Sequence, residues 1–385
     1  MNNPKILGVL QNLELANRNV SSTLGFLANH LKPRGLVSDI IDCDLDPLWK
    51  KLYLVKNYHR NEKIWSLKSA LDTSIRKQRS RKALKLIARN RADYNLILQI
   101  GTEFSTVEAA RSKGVPVFSY HDDNVYRYFK SRTRNLPDST QSRFKPSFQK
   151  VFEYERDIYS KLDGILCMTE YLRRVFIEKF KLPENKVHCI GYGANLDLPG
   201  VDLDEKDYDT KTLLFIAKDS FEEKGGYILL EAFKTVRKEC KNTELVIIGK
   251  KQDIDLPGVK WTGYLDKNNR EGSVAFANHL RQASLFVLPC FVEAAGSAFL
   301  EAMSYGIPCI GANQGSTPEM ITGRDAGLVL DQPNPDELAD KIIGLLKEPE
   351  ELKRMGINAR QAVDSFYNWD SVCDRAETLF RKALV

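Results

Sequence analysis

Short apolar runs alternate with stretches of helical periodicity along most of the chain. The runs that predict strands are KILGVLQ, VSDIID, YNLILQI, VPVFSY, GILCMT and VHCIGY, followed later by TLLFIAK, TELVIIG, VKWTGYL, ASLFVLPC and IPCIGA. Apolar residues at helical spacing lie between them, as in TEYLRRVFIEKF, where Thr169 is placed to cap the helix. Strands that alternate with helices are typical of parallel βαβ units, so the pattern predicts an α/β protein.

One segment interrupts this alternation. From Ala194 to Thr210 the chain is acidic, contains a Pro-Gly pair and shows no helical period, which indicates a linker. We therefore expect a Rossmann-like domain over residues 1–195, a linker over 196–209 and a second Rossmann-like domain over 210–365. A last amphipathic helix, about 366–385, is predicted to close the first domain. Two doubly wound domains facing a central cleft is the architecture that this organisation favours.

Composition narrows the class of protein further. The chain has 385 residues, of which 43% are hydrophobic and 28% charged, as in ordinary globular domains. We expect no membrane span, because no run of about 18 apolar residues occurs. The start, MNNPKILGVLQNLEL, is predicted as a first strand rather than a signal peptide. The seven cysteines show no CxxC spacing, which predicts reduced cysteines in a cytoplasmic protein without a structural metal.

Candidate chemistry first appears in EAAGSAFLE, which follows the apolar run SLFVLP. Glu293 is predicted in the loop after this strand, and Glu301 in the helix that begins near Gly296 and Ser297. Ligands bind at the carboxyl edge of open α/β sheets, where small residues let a backbone approach an anion. The two carboxylates can accept hydrogen bonds from hydroxyl groups on either side of that anion. A diphosphate with hydroxyl groups on both sides is the outline of a nucleotide sugar.

These residues resemble those of retaining glycosyltransferases of the GT-B fold, family-4 type, also called glycosyl transferases group 1. The E-x7-E element matches at Glu293 and Glu301, and the following LEAMSYGIPCIG is similar to the family's usual continuation. The resemblance implies that Glu293 contacts the donor sugar in a catalytic role and that Glu301 binds the ribose hydroxyls. Gly296 and Ser297 would then face the donor diphosphate.

A second motif, FIAKDSFEEKGG, supplies two cations to the same predicted site. Lys218 follows a strand and Lys224 precedes two glycines and a helix. Two cations there can neutralise a diphosphate leaving group, which gives Lys224 a catalytic as well as a binding role. The family commonly has arginine at the first position, with a spacing about one residue shorter. Because Lys218 and Lys224 supply positive charge where GT-A enzymes use a metal, we expect metal-independent catalysis. We expect no cofactor beyond the nucleotide-sugar co-substrate.

The first domain is predicted to hold the acceptor. The resemblance implies that His121, which ends a predicted strand, approaches the donor sugar as a catalytic residue. Asp122 follows it and is assigned to the acceptor side. The loop after the first strand, QNLELANRNVSS, lacks the paired glycines of many relatives. Asn12, Asn17 and Arg18 are expected to contact the acceptor there through their side chains.

Basic residues are concentrated in one segment. From Lys50 to Arg91 the chain has fourteen lysines and arginines against two acids. The sequence SLKSALDTSIRKQRSRKALKLIARNR predicts a basic amphipathic helix with an apolar stripe at Leu67, Leu71 and Ile75. One hypothesis is that residues 49–91 dock on an acidic membrane surface, as a peripheral protein on its inner face. The other is that the stripe packs on its own domain.

The function predicted from these residues is transfer of a hexosyl unit to an acceptor hydroxyl, in glycan or glycolipid synthesis. A nucleotide-sugar epimerase or a phosphorylase-like enzyme of similar fold, and a non-catalytic nucleotide-sugar binding protein, remain alternatives. Asp42 and Asp44 form a DxD sequence like the metal site of GT-A enzymes, but they follow a second Rossmann strand, where acids usually lie on a loop surface. No nucleic-acid motif accompanies the basic segment, so no nucleic-acid partner is expected.

Overall fold

The computed structural model describes residues 3–12, 23–196, 202–218, 220–291, 293 and 295–385. These residues form two compact units. Within the described ranges, the first unit comprises residues up to 191 together with 372–385, and the second comprises 192–371. Residues 202–209 of the predicted linker therefore belong with the second unit, and the end of the chain belongs with the first.

The first unit contains a six-stranded parallel sheet with the order β2-β1-β3-β4-β5-β6. Its strands are β1 Ile6–Leu10, β2 Val37–Asp42, β3 Leu96–Ile100, β4 Val117–His121, β5 Gly164–Cys167 and β6 Val187–Cys189. Strands β1, β3, β4 and β5 are buried along their whole length, as expected for a parallel sheet with helices on both faces. The order changes direction between β1 and β3, which places a switch point there.

Helices connect these strands. They are α1 Thr23–Leu31, α2 Pro47–Lys56, α3 Glu62–Ala70, α4 Thr73–Arg89, α5 Val107–Lys113, α6 Val125–Thr133, α7 Asp138–Lys161 and α8 Glu170–Glu178. The Thr169 cap of α8 is confirmed, since its hydroxyl oxygen accepts a hydrogen bond of 3.1 Å from the Leu172 N–H. Three helices, α2 to α4, lie between β2 and β3, where a βαβ unit needs only one.

The second unit contains another six-stranded parallel sheet, with the order β12-β11-β10-β7-β8-β9. Its strands are β7 Thr212–Ala217, β8 Glu244–Gly249, β9 Val259–Gly263, β10 Leu285–Leu288, β11 Cys309–Ala312 and β12 Gly327–Leu330. Counted from one edge, this is the dinucleotide-fold order 3-2-1-4-5-6, whose switch point lies between β7 and β10. The predicted α/β class with two doubly wound sheets is confirmed.

The helices of the second unit also follow the predicted pattern. They are α9 Gly226–Glu239, α10 Arg270–Gln282, α11 Ser297–Met303, α12 Thr317–Met320, α13 Pro335–Leu346, α14 Pro349–Ser365 and the start of α15 Trp369–Ala383, which continues into the first unit. The sequence pattern did not single out β12 as a strand. It has only four residues and lies at the sheet edge, where two residues are only half-buried.

The basic segment is not one helix. Asp72 divides the predicted stretch between α3 and α4 and caps α4, because its carboxylate accepts a hydrogen bond of 2.9 Å from the Ser74 N–H. Leu67 and Leu71 are buried in the core of the first unit, together with Ile87. Two of the three residues of the predicted lipid-facing stripe are therefore buried, because they fill the space beside the sheet, and the third, Ile75, is half-buried.

Two of the cations in this segment are also buried. Arg76 pairs with the fully buried Glu155 at 2.9 Å, and Arg79 pairs with Asp44 at 3.4 Å. In the described part of the chain, no helix is both long and apolar enough to cross a membrane.

Candidate active site

The candidate donor residues lie at the switch point of the second sheet. Lys218 directly follows β7, and Glu293 lies five residues after the end of β10. Since β7 and β10 are parallel neighbours, both loops leave the sheet at the same edge. The chain order thus brings residues that are about 70 positions apart in sequence to one place.

Backbone contacts hold these two loops together. The Phe291 N–H donates a hydrogen bond of 3.1 Å to the Glu223 carbonyl. Gly225 has a φ of 81°, and a Cβ at this position would lie 2.1 Å from the Pro289 carbonyl oxygen. Only glycine combines this left-handed conformation with so close an approach. The glycine after Lys224 is therefore required to bring that lysine against the end of β10.

The Lys224–Glu293 pair is the centre of this arrangement. Lys224 Nζ lies 2.6 Å from Glu293 Oε2, and the carboxylate is 8% exposed. Burial disfavours the lysine's charge, but the Glu293 carboxylate outweighs this and raises the pKa of Lys224. The other carboxylate oxygen accepts a hydrogen bond of 2.9 Å from the Gly296 N–H, which fixes Glu293 at the start of α11. Gly296 has a φ of 77°, in the left-handed region.

Glu301 is paired in a similar way, with a residue that the sequence did not suggest. It lies on α11, is 7% exposed and forms an ion pair with Lys267, which is 17% exposed. Lys267 also lies 4.9 Å from the ring centroid of Phe276. The sequence signal that could have suggested Lys267 is its position shortly after β9, because residues that follow parallel strands lie at one edge of the sheet.

The other two predicted diphosphate contacts are less constrained. Lys218 is exposed, and its Nζ lies 5.0 Å from the ring centroid of Tyr264. Ser297 is half-buried at the first position of α11. Lys224, Glu293 and Gly296 are joined by direct hydrogen bonds, and the donor-site roles of all five residues stay predictions.

His121 occupies the core of the first unit. Its side chain is fully buried, with Nε2 2.6 Å from Ser119 Oγ. The ring packs against Tyr159 and Phe176, with centroid distances of 5.3 Å to each. Burial lowers the pKa of His121 to about 3, so the imidazole is neutral at physiological pH. Its catalytic role stays a prediction.

The acceptor-side candidates are only partly described. Asn17 and Arg18 lie outside the described residues. Asn12 follows β1, and its N–H donates a hydrogen bond of 3.0 Å to Asp42 Oδ1. Asp122 follows β4 at the same edge of the first sheet, where burial and then the charge of Asp123 raise its pKa to about 6.

The DxD carboxylates interact with groups of the chain itself. Asp42 Oδ1 accepts hydrogen bonds from the backbone N–H groups of Asn12 and Asp44. Asp44 is 9% exposed and pairs with Lys50 and Arg79. Both carboxylates thus interact with backbone N–H groups or cationic side chains of the chain itself.

Comparison with known proteins finds a family match over the segment that contains the candidate donor residues. Residues 204–362, which include every candidate donor residue of the second unit, match the family model for glycosyl transferases group 1. The matched segment is about two fifths of the chain, lies within the second unit and is similar to that family.

The sequence relatives of the chain differ in the functions that their names describe. It is 29% identical over 170 residues to a GDP-mannose-dependent α-(1-6)-phosphatidylinositol monomannoside mannosyltransferase of Mycobacterium tuberculosis, covering 41% of this chain and 44% of that protein. It is 26% identical to spore coat protein SA of Bacillus subtilis over 61% of this chain and 70% of that protein. The chain thus spans under half the length of the mannosyltransferase.

Solved structures match the chain over almost its whole length. A sucrose-phosphate synthase from Thermosynechococcus elongatus has a TM-score of 0.67 at 14% identity, covering 99% of both chains. Anabaena HepE in complex with UDP and glucose has a TM-score of 0.62 at 14% identity, covering 98% of this chain and 99% of the other. These likenesses show the GT-B fold.

The close approach at Gly225 predicts a stability cost for adding a side chain there. Gly225→Ala is expected to lower the free energy of unfolding by at least about 1–2 kcal/mol, because alanine is strained at positive φ and meets the Pro289 carbonyl. Chemical denaturation measures the change. Gly344→Ala is the matched control: Gly344 lies within α13, with open space around it, and the change is expected to stabilise by about 0.5–1 kcal/mol. Equal effects of the two changes would contradict the strain at Gly225.

The burial of His121 predicts its behaviour on acidification. The native imidazole stays neutral down to a pKa of about 3, whereas the unfolded one takes up a proton near its ordinary pKa. The contribution of His121 to stability is therefore complete above pH ~6.5 and falls as the pH drops from there toward 3. NMR of the His121 ring protons is expected to show no titration between neutral pH and pH ~5. A midpoint near 6.5 would mean that the ring is not buried in solution.

Proposed function

We propose that this protein is a retaining glycosyltransferase that moves a hexosyl unit from a nucleotide diphosphate sugar to an acceptor hydroxyl. The observation that carries the proposal is the Lys224–Glu293 pair, held at the switch point of the second sheet and fixed to Gly296. An ammonium and a carboxylate side by side suit a donor that carries an anionic diphosphate next to neutral sugar hydroxyls. The relative whose name includes a nucleotide sugar, the GDP-mannose-dependent mannosyltransferase, supports the same class of donor.

The proposed chemistry requires little movement of protons by the protein. The bond between the sugar C1 and the diphosphate oxygen breaks, and the acceptor oxygen bonds to C1 on the same face. The acceptor proton passes to the leaving phosphate oxygen. Lys224 stabilises the charge that develops on that phosphate, together with Lys218, Gly296 and Ser297. Glu293 accepts hydrogen bonds from the sugar, and Glu301 accepts hydrogen bonds from the ribose.

We propose that no metal takes part in this reaction. The proposal is supported by Lys218 and Lys224, which supply positive charge at the predicted diphosphate position. It is also supported by the ion pairs of Asp44, whose carboxylate interacts with Lys50 and Arg79. No further cofactor is proposed.

Substitutions at the ion pair test this function. Lys224→Ala and Glu293→Gln are each expected to lower donor turnover roughly 10²-fold or more, because each removes charge placed for the transition state. Turnover is measured by nucleotide release from UDP-, GDP- and ADP-sugars with added acceptors, in buffer that contains EDTA. Glu293→Gln keeps an oxygen that can accept from the Gly296 N–H, so the fold of the loop is retained.

An exposed pair of the same kind provides the control. Glu231 and Lys234 lie 2.6 Å apart on the surface of α9, with side chains at least half exposed. Glu231→Gln is expected to leave turnover unchanged. Normal turnover in the Glu293 or Lys224 variant would remove that residue from the site, and loss of all activity in EDTA would contradict the metal-free reaction. Interconversion of the donor sugar without transfer would favour the epimerase.

We further propose that an acidic membrane surface is a partner of this protein, so that it acts at the inner face of a membrane on a glycan or lipid-linked acceptor. The support for this proposal comes from α2, and not from Leu67 and Leu71, which are buried in the core. Leu48, Trp49, Leu52 and Val55 lie on one side of α2 and are 47–73% exposed. We call these four residues the α2 stripe. Such a row of large apolar side chains on one helix is unusual on a protein surface in contact with water alone.

The charges around the α2 stripe favour an anionic surface. Lys51, Arg60 and Lys63 are exposed on or shortly after α2. Each cation near an anionic leaflet contributes about 1 kcal/mol to binding, and apolar side chains can enter the headgroup region. The stripe and its flanking cations thus match both parts of a charged lipid interface.

Vesicle flotation tests the membrane proposal. The protein is expected to float with phosphatidylcholine vesicles that contain phosphatidylglycerol, and less at high salt, because salt screens the lysines and arginines. Replacing Leu48, Leu52 and Val55 together by serine is expected to abolish flotation. Val274→Ser, at a valine that is 51% exposed on α10, is the control and is expected to float normally. Absence of flotation at low salt would contradict the membrane proposal.

A further inference from the structure

One cavity of the first unit lies between helices, away from the ends of the strands. It has a volume of about 370 Å³, and it is bounded by one face of α7 and by the ends of α2 and α3 with the start of α4. We call it the α2–α7 pocket. Its described lining comes entirely from helices and the turns between them, and includes none of the candidate donor or acceptor-side residues. Its volume is in the range of small-molecule sites, about 300–1,000 Å³.

The charges that line the α2–α7 pocket are mainly positive. Lys56 lines it from α2, Lys68 from α3, and Arg143 and Lys150 from α7. Among the described lining residues, Asp72 is the only acid, so the excess is three positive charges. Like charges that converge on one concave surface repel each other, and a bound anion relieves this repulsion. The pocket is therefore placed to attract an anion.

The Asp72 carboxylate is already engaged by the fold. Its side chain is 11% exposed and accepts hydrogen bonds of 2.9 Å from the Ser74 N–H and 3.0 Å from Asn57 Nδ2. Its ion pair is with Lys56, at 2.8 Å. Burial alone would raise the pKa of Asp72, but the hydrogen bonds from Lys56, Ser74 and Asn57 lower it to about 2. Asp72 thus neutralises one of the four cations and leaves the other three.

These three cations are available to a ligand. Lys68 Nζ lies 3.5 Å from the Tyr58 carbonyl oxygen, at the outer limit of a hydrogen bond. Within the described part of the chain, Arg143 and Lys150 form no ion pair, and both are exposed. Ser147 lies between them on the same face of α7, because positions four and three apart on a helix are neighbours.

The donors of the pocket suit a phosphate better than a carboxylate. The Arg143 guanidinium can donate two parallel hydrogen bonds, and the hydroxyl groups of Thr73 and Ser147 add neutral donors. A phosphate monoester carries close to two negative charges at neutral pH and has three terminal oxygens. It can therefore accept from donors on several sides at once, whereas a carboxylate has one charge and two oxygens in a plane.

The apolar part of the lining indicates that the phosphate carries an organic group. Leu71, which is 6% exposed, and the half-buried Phe144 lie in the wall of the pocket. An inorganic ion would leave these side chains without contact. A small carbon skeleton attached to the phosphate would cover them, which adds apolar burial to the charge interactions.

We infer that the α2–α7 pocket binds a small organic phosphate through Lys68, Arg143, Lys150 and the hydroxyl groups of Thr73 and Ser147. This site goes beyond the proposed transfer reaction and does not depend on it. The pocket adjoins the α2 stripe, because Lys56 directly follows Val55. The phosphate monoester can therefore come from a lipid headgroup or from a soluble metabolite, and the experiment separates these two sources.

The first test titrates glycerol 3-phosphate into the full chain and follows binding by ligand-observed proton NMR. Glycerate, a carboxylate of similar size, is titrated beside it. Glycerol 3-phosphate is expected to bind saturably and at least about tenfold more tightly than glycerate, because the phosphate offers a second charge and a third oxygen. Its binding is expected to weaken at high salt. Equal binding of the two compounds would overturn the inference.

Two serines of α7 provide a matched pair of variants. Ser147 and Ser142 are both exposed, but of the two only Ser147 lines the pocket. Ser147→Glu places a carboxylate between Arg143 and Lys150 and is expected to weaken glycerol 3-phosphate binding at least about tenfold. Ser142→Glu makes the same change outside the pocket and is expected to bind like the wild type. Because both positions are exposed, neither variant is expected to lower the melting temperature.

A variant of the second unit separates this pocket from the donor site. Lys224→Ala is expected to bind glycerol 3-phosphate like the wild type, and Ser147→Glu is expected to keep wild-type donor turnover. Phosphate binding in a protein without donor turnover would reject the proposed function and keep the pocket. The inference is overturned if the wild type does not bind glycerol 3-phosphate, if Ser147→Glu and Ser142→Glu bind alike, or if Lys224→Ala abolishes binding.

Flotation with phosphatidylcholine vesicles that contain phosphatidic acid assigns the source of the phosphate. Phosphatidic acid presents the same phosphate monoester as glycerol 3-phosphate, on a membrane surface. Weaker flotation of Ser147→Glu than of Ser142→Glu would support the site and assign the lipid headgroup. Equal flotation of the two variants, with loss of glycerol 3-phosphate binding in Ser147→Glu alone, would support the site and assign a soluble phosphate.

Discussion

The constraint on which both units depend is the geometry of parallel strands. Each strand must be followed by a crossover, so all carboxyl ends of a sheet gather at one edge. Where the strand order changes direction, the neighbouring crossovers go to opposite faces and leave an opening. Both candidate sites lie at such an opening, between β7 and β10 in one unit and between β1 and β3 in the other.

The second unit could be predicted in detail because its local signals and its packing agree. Glycine, lysine and glutamate occur in the loops after β7 and β10. In the structure, Gly225 allows the close approach of the two loops, and Lys224 and Glu293 form an ion pair there. Gly225 is an example: the glycine is visible in the sequence, and the Pro289 carbonyl explains why no other residue fits. Lys267 could not be inferred from a motif, since its partner Glu301 is 34 residues away and the pair forms only once β9 and α11 are in place.

The first unit was harder to predict for two physical reasons. An amphipathic stripe indicates that one side of a helix avoids water, but it does not say whether lipid or the protein's own core covers that side. Leu67 and Ile87 are covered by the core, whereas the exposed stripe on α2 is too short for its period to stand out. A cavity of about 700 Å³ at the carboxyl ends of β1, β3 and β4 is lined by residues such as Gln11, Ser69 and Asn124, which are ordinary in sequence. Their convergence on one cavity appears only after folding.

The pairing of both donor-site glutamates with lysines has a consequence for selectivity among cellular anions. Two lysines without carboxylate partners in an accessible site would bind inorganic pyrophosphate, ATP and any other polyphosphate that is present at high concentration. Because Glu293 and Glu301 each hold an ammonium group, the two pairs carry no net charge. A ligand that draws the lysines toward its phosphates must also offer hydroxyls to the carboxylates that they leave. A nucleotide sugar carries hydroxyls at both ends of its diphosphate, whereas pyrophosphate carries none. Under the proposed function, the internal pairs would therefore compete with any ligand that lacks hydroxyls beside its phosphates.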